Sequence, residues 1–306
     1  VFCIRQRGGV TWPSTSGLSS AMQRILLCTA VVVSICLPVF GRDADHFPAV
    51  VDAVNASPSP WRAKLYPELQ ANPDRPFPIM SPEVADANRA ELKAAARDRG
   101  LLEPVSGRER DRLGVPPVAE FDPRAAACTS EILNQQACGS CWAFAISTVL
   151  TDRACIESGG TLNPAYGQQH LVSCETDQMG CDGGNVYDPL FWIEEHGTFS
   201  RTCWPYSSGA GSVAACRTTC VNGDAPERLY SANPTFSELD DFYTSLLGGP
   251  IIGIMDVYDD LYSYESGIYE VSPDAVYEGG HGVRIVGWGS ERSEERRVGK
   301  ECRSRW

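Results

Sequence analysis

The sequence predicts an α+β fold of two lobes, a helical first half followed by a stranded second half. Residues 142–158 read as one long apolar helix, and after Ala232 short β-type runs at 251–254, 262–271 and 282–286 alternate with Gly, Pro and Asp. Thirteen cysteines, most of them between Cys128 and Cys220, add a third constraint. That number is too high for a typical reduced cytosolic protein and favours disulfides formed in an oxidising compartment over metal. With 306 residues, 43% hydrophobic and 21% charged, the chain can bury a sizeable core in one or two domains. Its net charge of -13 argues against nucleic-acid binding, which needs a basic face.

Taken in order, residues 1–21 do not read as a protein start and are expected to be upstream, non-native sequence. Met22 opens a signal-peptide pattern over 22–41, with Arg24 followed by an apolar run over 25–39; the competing reading is an N-terminal membrane anchor. Cys3, Cys28 and Cys36 then leave the disulfide count. Residues 42–114 carry no cysteine and many prolines, with one helical patch over 86–100, and are expected to be a removable pro-segment rather than a plain linker. Asn55-Ala56-Ser57 is the one glycosylation sequon, weakened by Pro58.

The main body is expected over 115–290, where 23 Asp or Glu stand against six Arg and no Lys. Its first helix has Ser140 as a cap, an apolar stripe of Phe144, Ile146, Val149 and Leu150, and a stop at Gly159-Gly160. Cys141 falls at the start of that helix, where the dipole favours an anion and a thiol pKa is lowered. Within 291–306 the composition turns abruptly basic, and this stretch is expected to be adaptor read-through rather than protein.

The stretch 134–145, Asn-Gln-Gln-Ala-Cys-Gly-Ser-Cys-Trp-Ala-Phe-Ala, carries the chemistry. An isolated CxxC is a structural disulfide or half a zinc site, but Cys-Gly-Ser-Cys followed by Trp is the local signature of the papain and cathepsin nucleophile. Such a nucleophile needs a base and oxyanion donors. Of four histidines, His46 lies in the pro-segment, His196 in an acidic turn and His170 on a helix. His281 sits among glycines ahead of a β-run, 140 residues after Cys141, within the separation this chemistry shows.

Together these residues resemble the papain-like cysteine proteases, and within them the cathepsin B type. The resemblance covers roughly 115–290, from Phe121-Asp122-Pro123-Arg124 through Gly249-Pro250, Val257-Tyr258-Asp259-Asp260 and Ser266-Gly267-Ile268-Tyr269 to Gly279-Gly280-His281. In the pro-segment, Val54-Asn55 and Trp61-Arg62-Ala63 are similar to the short propeptide of that type. The resemblance implies a two-lobe papain-like fold, a helical left lobe and an antiparallel β-barrel right lobe that is incomplete here. It implies Cys141 as nucleophile, His281 as general acid/base and Gln135, with the Cys141 backbone N–H, as oxyanion donor. Gly183 and Gly184 would line the substrate backbone. The implied disulfides are Cys128–Cys155, Cys138–Cys181, Cys174–Cys216 and Cys203–Cys220.

The function implied is a cysteine endopeptidase made as a zymogen and acting on polypeptides, with its own pro-segment as inhibitor. It would be monomeric, with no cofactor, metal, nucleic acid or, after signal removal, membrane partner, in the secretory pathway, a lysosome- or vacuole-like compartment, or outside the cell. Two departures bear on this. The stretch from Cys203 to Cys220 holds no histidine, where the cathepsin B type carries a histidine pair that binds a substrate carboxylate, so carboxydipeptidase activity is not expected. No Asn follows His281, where the family has one that orients the histidine. The alternative is a catalytically inactive papain-like binding module.

Overall fold

The computed structural model describes residues 42, 44–71, 73, 78–98, 120–125, 127–231, 234 and 242–289. The expectations for the signal over 22–41, the upstream residues and the tail over 291–306 lie outside these residues. The leading segment is more regular than its prolines suggest. Helix α1 (His46–Ala56), strand β1 (Trp61–Ala63), helix α2 (Pro67–Ala71) and helix α3 (Pro82–Asp98) follow one another. The periodicity over 86–100 identified only the last of these, because α1 and α2 are short and draw their stability from tertiary contacts rather than propensity.

The first lobe is built on α4 (Cys141–Glu157), with α5 (Gln168–Cys174), α6 (Asp188–His196) and the ribbon β2 (Thr198–Phe199) with β3 (Arg228–Leu229) around it. Instead of one apolar stripe, α4 is buried on nearly all sides, at Trp142, Ala143, Ile146, Thr148, Val149, Thr151 and Asp152 among others. Its core joins Trp142 and Ile146 to Leu171, Val186 and Ile193. Gly159 and Gly160 follow at φ +63° and +82°, a left-handed exit that suits glycine. His196 ends α6 rather than sitting in a turn.

Four disulfides stitch the lobe: Cys128–Cys155, Cys138–Cys181, Cys174–Cys216 and Cys203–Cys220. Cys141 is the free cysteine among the described residues.

The second lobe follows α7 (Phe242–Leu247). Strand β4 (Ile251–Tyr258) pairs antiparallel with β6 (Tyr277–Ile285), and β5 (Tyr264–Gly267) pairs antiparallel with β1. Among the described residues these are two-stranded ribbons and no closed barrel. The β1–β5 ribbon ties the leading segment into the second-lobe core. There Phe47, Val54, Trp61 and Leu69 pack on Val257, Leu261, Tyr262 and Tyr264. Trp61 is fully buried and its indole N–H donates to the Glu270 carbonyl (2.9 Å). Burying an indole of this size is worth about 4–6 kcal/mol at 25 cal/mol/Å². No helix among the described residues is long and apolar enough to cross a membrane.

Candidate active site

The loop that leads to Cys141 is fixed before its helix begins. Gly139 N–H donates to the Cys181 carbonyl (2.8 Å) beside the Cys138–Cys181 bridge, and a Cβ at Gly139 would stand 2.4 Å from that oxygen, so only glycine fits. Ser140 precedes the helix, but its hydroxyl does not cap it. The Tyr206 hydroxyl donates to the Gln135 carbonyl (3.0 Å), which leaves it as acceptor for the Ser140 hydroxyl (2.8 Å). Tyr206 therefore pins both ends of the loop that carries Gln135 and Cys141. The sequence drew notice to Trp204-Pro205-Tyr206 only for its lack of histidine.

Cys141 is the first residue of α4 and is buried. Burial pushes its thiol up to about 11, and backbone hydrogen bonds from Gly282, Trp142, Cys141 and Met80 offset only part of that. This corrects the expectation of a lowered pKa: the helix terminus is present, but the leading segment lies across it and removes solvent. His281 lies inside β6 rather than ahead of a strand, paired with Met255 of β4. It joins the site through its neighbour, since a Cβ at Gly282 would meet the Cys141 carbonyl oxygen at 3.3 Å and Trp142 Cα at 3.4 Å. Desolvation lowers the His281 pKa to about 4. Both groups are thus neutral at pH 7 in this state.

The other predicted residues converge on the same cleft, and all touch the leading segment. Gln135 Nε2 donates to the Pro78 carbonyl (2.8 Å) and to the Cys138 carbonyl (2.9 Å). Met80 pairs with Gly280 of β6 through both backbone hydrogen bonds (3.0 and 3.1 Å), an antiparallel bridge. Its side chain is fully buried over Gly183, whose added Cβ would lie 3.3 Å from Met80 Cγ and 3.1 Å from Val84 Cγ1. Gly183 has φ +127°, and the Gly184 carbonyl accepts a hydrogen bond from Asn88 of α3 (3.0 Å). Asn185 and Glu91 extend that contact (3.2 Å), and Arg89 pairs with Asp256 of β4. Sequence reasoning passed over Pro78, Met80 and Asn88; the apolar Ile79-Met80 pair within a polar, proline-rich stretch was the available signal.

Of the remaining histidines, His46 opens α1 and pairs with Asp259 (3.0 Å), which holds α1 to the second lobe. His170 stacks on Phe199 (3.8 Å between ring centres) in the first-lobe core, and desolvation lowers its pKa to about 4. The described residues contain no cluster of three or more His, Cys, Asp or Glu that could hold a metal.

The family model described as papain family cysteine protease matches residues 117–301. A cathepsin B-like protein of Giardia intestinalis, CP3, is 34% identical over 206 residues, which cover 62% of this chain and 69% of the relative. Its CP1 counterpart is 33% identical over 199 residues, 62% and 65% of the two chains. Cathepsin B-like cysteine proteinase 3 of Caenorhabditis elegans is 33% identical over 185 residues, 52% and 50%. The chain thus spans from half to just over two thirds of the length of these relatives. Among solved structures, procathepsin B S9 from Trypanosoma congolense superposes with a TM-score of 0.63 at 24% identity, over 79% of this chain and 83% of that one. The proform of the ragweed cysteine protease Amb a 11 gives 0.56 at 21%, over 81% and 73%. Both likenesses are of fold, and both are to precursors in which a pro-segment is present. The chain belongs to the papain family of cysteine proteases, and the three relatives named above are of the cathepsin B-like type.

Proposed function

We propose that this chain is the zymogen of a cathepsin B-like cysteine endopeptidase, with residues 42–114 as a pro-segment that blocks the cleft. The observation that carries the reading is the hydrogen bond from Gln135 Nε2 to the Pro78 carbonyl (2.8 Å), two residues before Met80, whose backbone reaches the Cys141 sulfur. A peptide carbonyl on that amide is what a substrate presents as its oxygen gains charge. The pro-segment supplies the carbonyl in place of substrate.

Once the pro-segment leaves, the Cys141 thiolate attacks the peptide carbonyl carbon. Gln135 Nε2 and the Cys141 backbone N–H hold the oxyanion, and His281 protonates the departing amine. Water, deprotonated by His281, then hydrolyses the thioester and restores the thiolate. Gly183 and Gly184 leave the backbone bare where the substrate chain lies. The Cys203–Cys220 segment folds back on the first lobe, with Trp204 buried and Ser207 and Ser208 N–H bonded to Gln169 (2.7 and 3.0 Å), and it offers no histidine to a substrate carboxylate. This favours cleavage within chains over removal of C-terminal dipeptides. Four disulfides suit maturation in the secretory pathway, en route to a lysosome-like compartment or the exterior.

The test is labelling of the processed chain with an epoxide thiol-protease inactivator, followed by peptide mapping. Modification of Cys141 with loss of peptide hydrolysis is expected, and modification at any other residue overturns the assignment. Equal turnover of dipeptide ends as free acid and as amide supports endopeptidase action; a marked preference for the acid refutes it.

A further inference from the structure

The two lobes also meet at a buried polar node that the reaction itself does not use. Arg284 Nη1 donates to Asp152 Oδ2 (2.7 Å) and to Ser130 Oγ (2.5 Å), and its Nη2 donates to the Ser130 carbonyl (3.1 Å). Asp152 Oδ1 accepts the Ser130 backbone N–H (2.8 Å). Asp152 is fully buried, and the Arg284 side chain is 10% exposed. Each member belongs to an element that carries one part of the site. Arg284 lies three residues after His281 on β6, Asp152 lies on α4, which begins at Cys141, and Ser130 lies five residues before Gln135.

We propose that Arg284, Asp152 and Ser130 form a positioning bridge that sets His281 and Gln135 against Cys141. The proposal rests on the catalytic reading given above. Gly282 and Arg284 share one face of β6, because side chains alternate along a strand. Gly282 touches the backbone at the start of α4 and Arg284 grips the same helix near its far end. Two fixed points on one helix set both the offset and the tilt of the strand that carries His281. The neighbouring Arg153 anchors the partner strand in the same way, donating to the carbonyls of Pro250 (2.7 Å), Ser245 (3.1 Å) and Gly249 (3.1 Å) ahead of β4. A buried ion pair is weak evidence for stability, because desolvating both charges offsets their attraction. Its specific gain is geometry, since a guanidinium directed at three acceptors fixes orientation as well as distance. Small displacements of a catalytic group cost large factors in rate.

The test compares the full chain, processed with pepsin at acid pH, with the double variant Arg284→Met/Asp152→Leu and the single variant Ser130→Ala. Replacing both charges by apolar groups of similar size avoids a stranded buried charge. The readouts are thermal stability, kcat and KM on a blocked peptide, and the pH profile of Cys141 alkylation by iodoacetamide. The bridge predicts that the double variant loses at least tenfold in kcat with KM within about threefold. The acid limb of alkylation, which reports thiolate held by a charged His281, shrinks by a similar factor at pH 5.5. Ser130→Ala moves both readouts the same way by about two- to fivefold, and it carries the test if the double variant does not fold. Kinetics and pH profile within twofold of the parent in Ser130→Ala, and in the double variant where it folds, overturn the proposal and leave a structural node only. A parent chain without an acid limb overturns the catalytic pairing itself, and the positioning role with it.

Discussion

Truncating Met80 to alanine tests whether the leading segment closes the site. In the closed chain Cys141 is 1% exposed with the Met80 backbone in hydrogen-bonding reach of its sulfur, and the Met80 side chain is fully buried. The Met80 side chain packs on Gly183 and Gly280, and its sulfur accepts a hydrogen bond from Asn88 (3.3 Å). Truncation of a buried Met to Ala costs about 2–4 kcal/mol, the transfer term plus the cavity left behind. The backbone pairing of Met80 with Gly280 survives the change, so the loss falls on closure of this stretch rather than on the body of the protein. At 1.4 kcal/mol per tenfold, the open population rises by about 30- to 700-fold. Where reclosing outruns alkylation, the rate of Cys141 labelling by iodoacetamide in the full chain rises by that factor. Met80→Leu, close in volume, stays within about tenfold. A Met80→Ala chain labelled within threefold of its parent refutes the reasoning, and so does a parent labelled as fast as the unfolded chain.

Acid should loosen the closed form through His281. Its folded pKa, lowered to about 4 by burial, lies below the 6.5 of the free side chain, so an open form in which Cys141 is a thiol binds one proton more than the closed form between those values. Stability of closure is complete above pH 6.5 and is lost as pH falls towards 4, by about 3 kcal/mol at 1.36 kcal/mol per pH unit. His281→Gln should flatten the labelling rate over pH 4–7; an unchanged slope would assign the acid response to other groups. Gln135→Ala in the processed chain should lower kcat by about 10²–10³ with little change in KM, and a loss under tenfold would remove Gln135 from the oxyanion site. Tyr206→Phe removes the hydroxyl shared by Ser140 and the Gln135 carbonyl, and should cost about 1 kcal/mol in denaturant stability. Its kcat should fall several-fold, and an unaltered kcat would limit Tyr206 to stability.

The parts of the site that are legible in the sequence are those whose chemistry is local. Cys-Gly-Ser-Cys-Trp places a thiol at a helix start within five residues, and the glycines around His281 mark close backbone approach without reference to the partner. Contacts between distant segments leave no such trace. Asn88 on the Gly184 carbonyl and Trp61 against Tyr264 join residues 96 and about 200 positions apart. Periodicity within either segment carries nothing about the other. The stripe assigned to α4 is only part of what that helix buries, for a related reason: a helix covered by neighbours on nearly all sides buries Ser147, Thr148 and Asp152 along with its apolar residues. The expected drop in the Cys141 pKa failed because it was argued from the helix alone. Burial by another segment is a tertiary fact.

That last failure bears on how the closed state is held inactive. A segment that only blocked access would leave thiolate and imidazolium waiting beneath it. Here the covering also changes the protonation of the pair, with Cys141 raised to about 11 and His281 lowered to about 4 by the same loss of solvent. Moving a proton from sulfur to imidazole is then far uphill, whereas two charges formed in water-accessible surroundings would support each other. On the proposed reading, the burial under the leading segment would suppress the Cys141 thiolate as well as cover it. Its contacts are spread over β1, Met80 and α3, so release of any one leaves the others in place. Closure of this kind makes reactivity follow the detachment of the whole segment rather than the fraying of one turn.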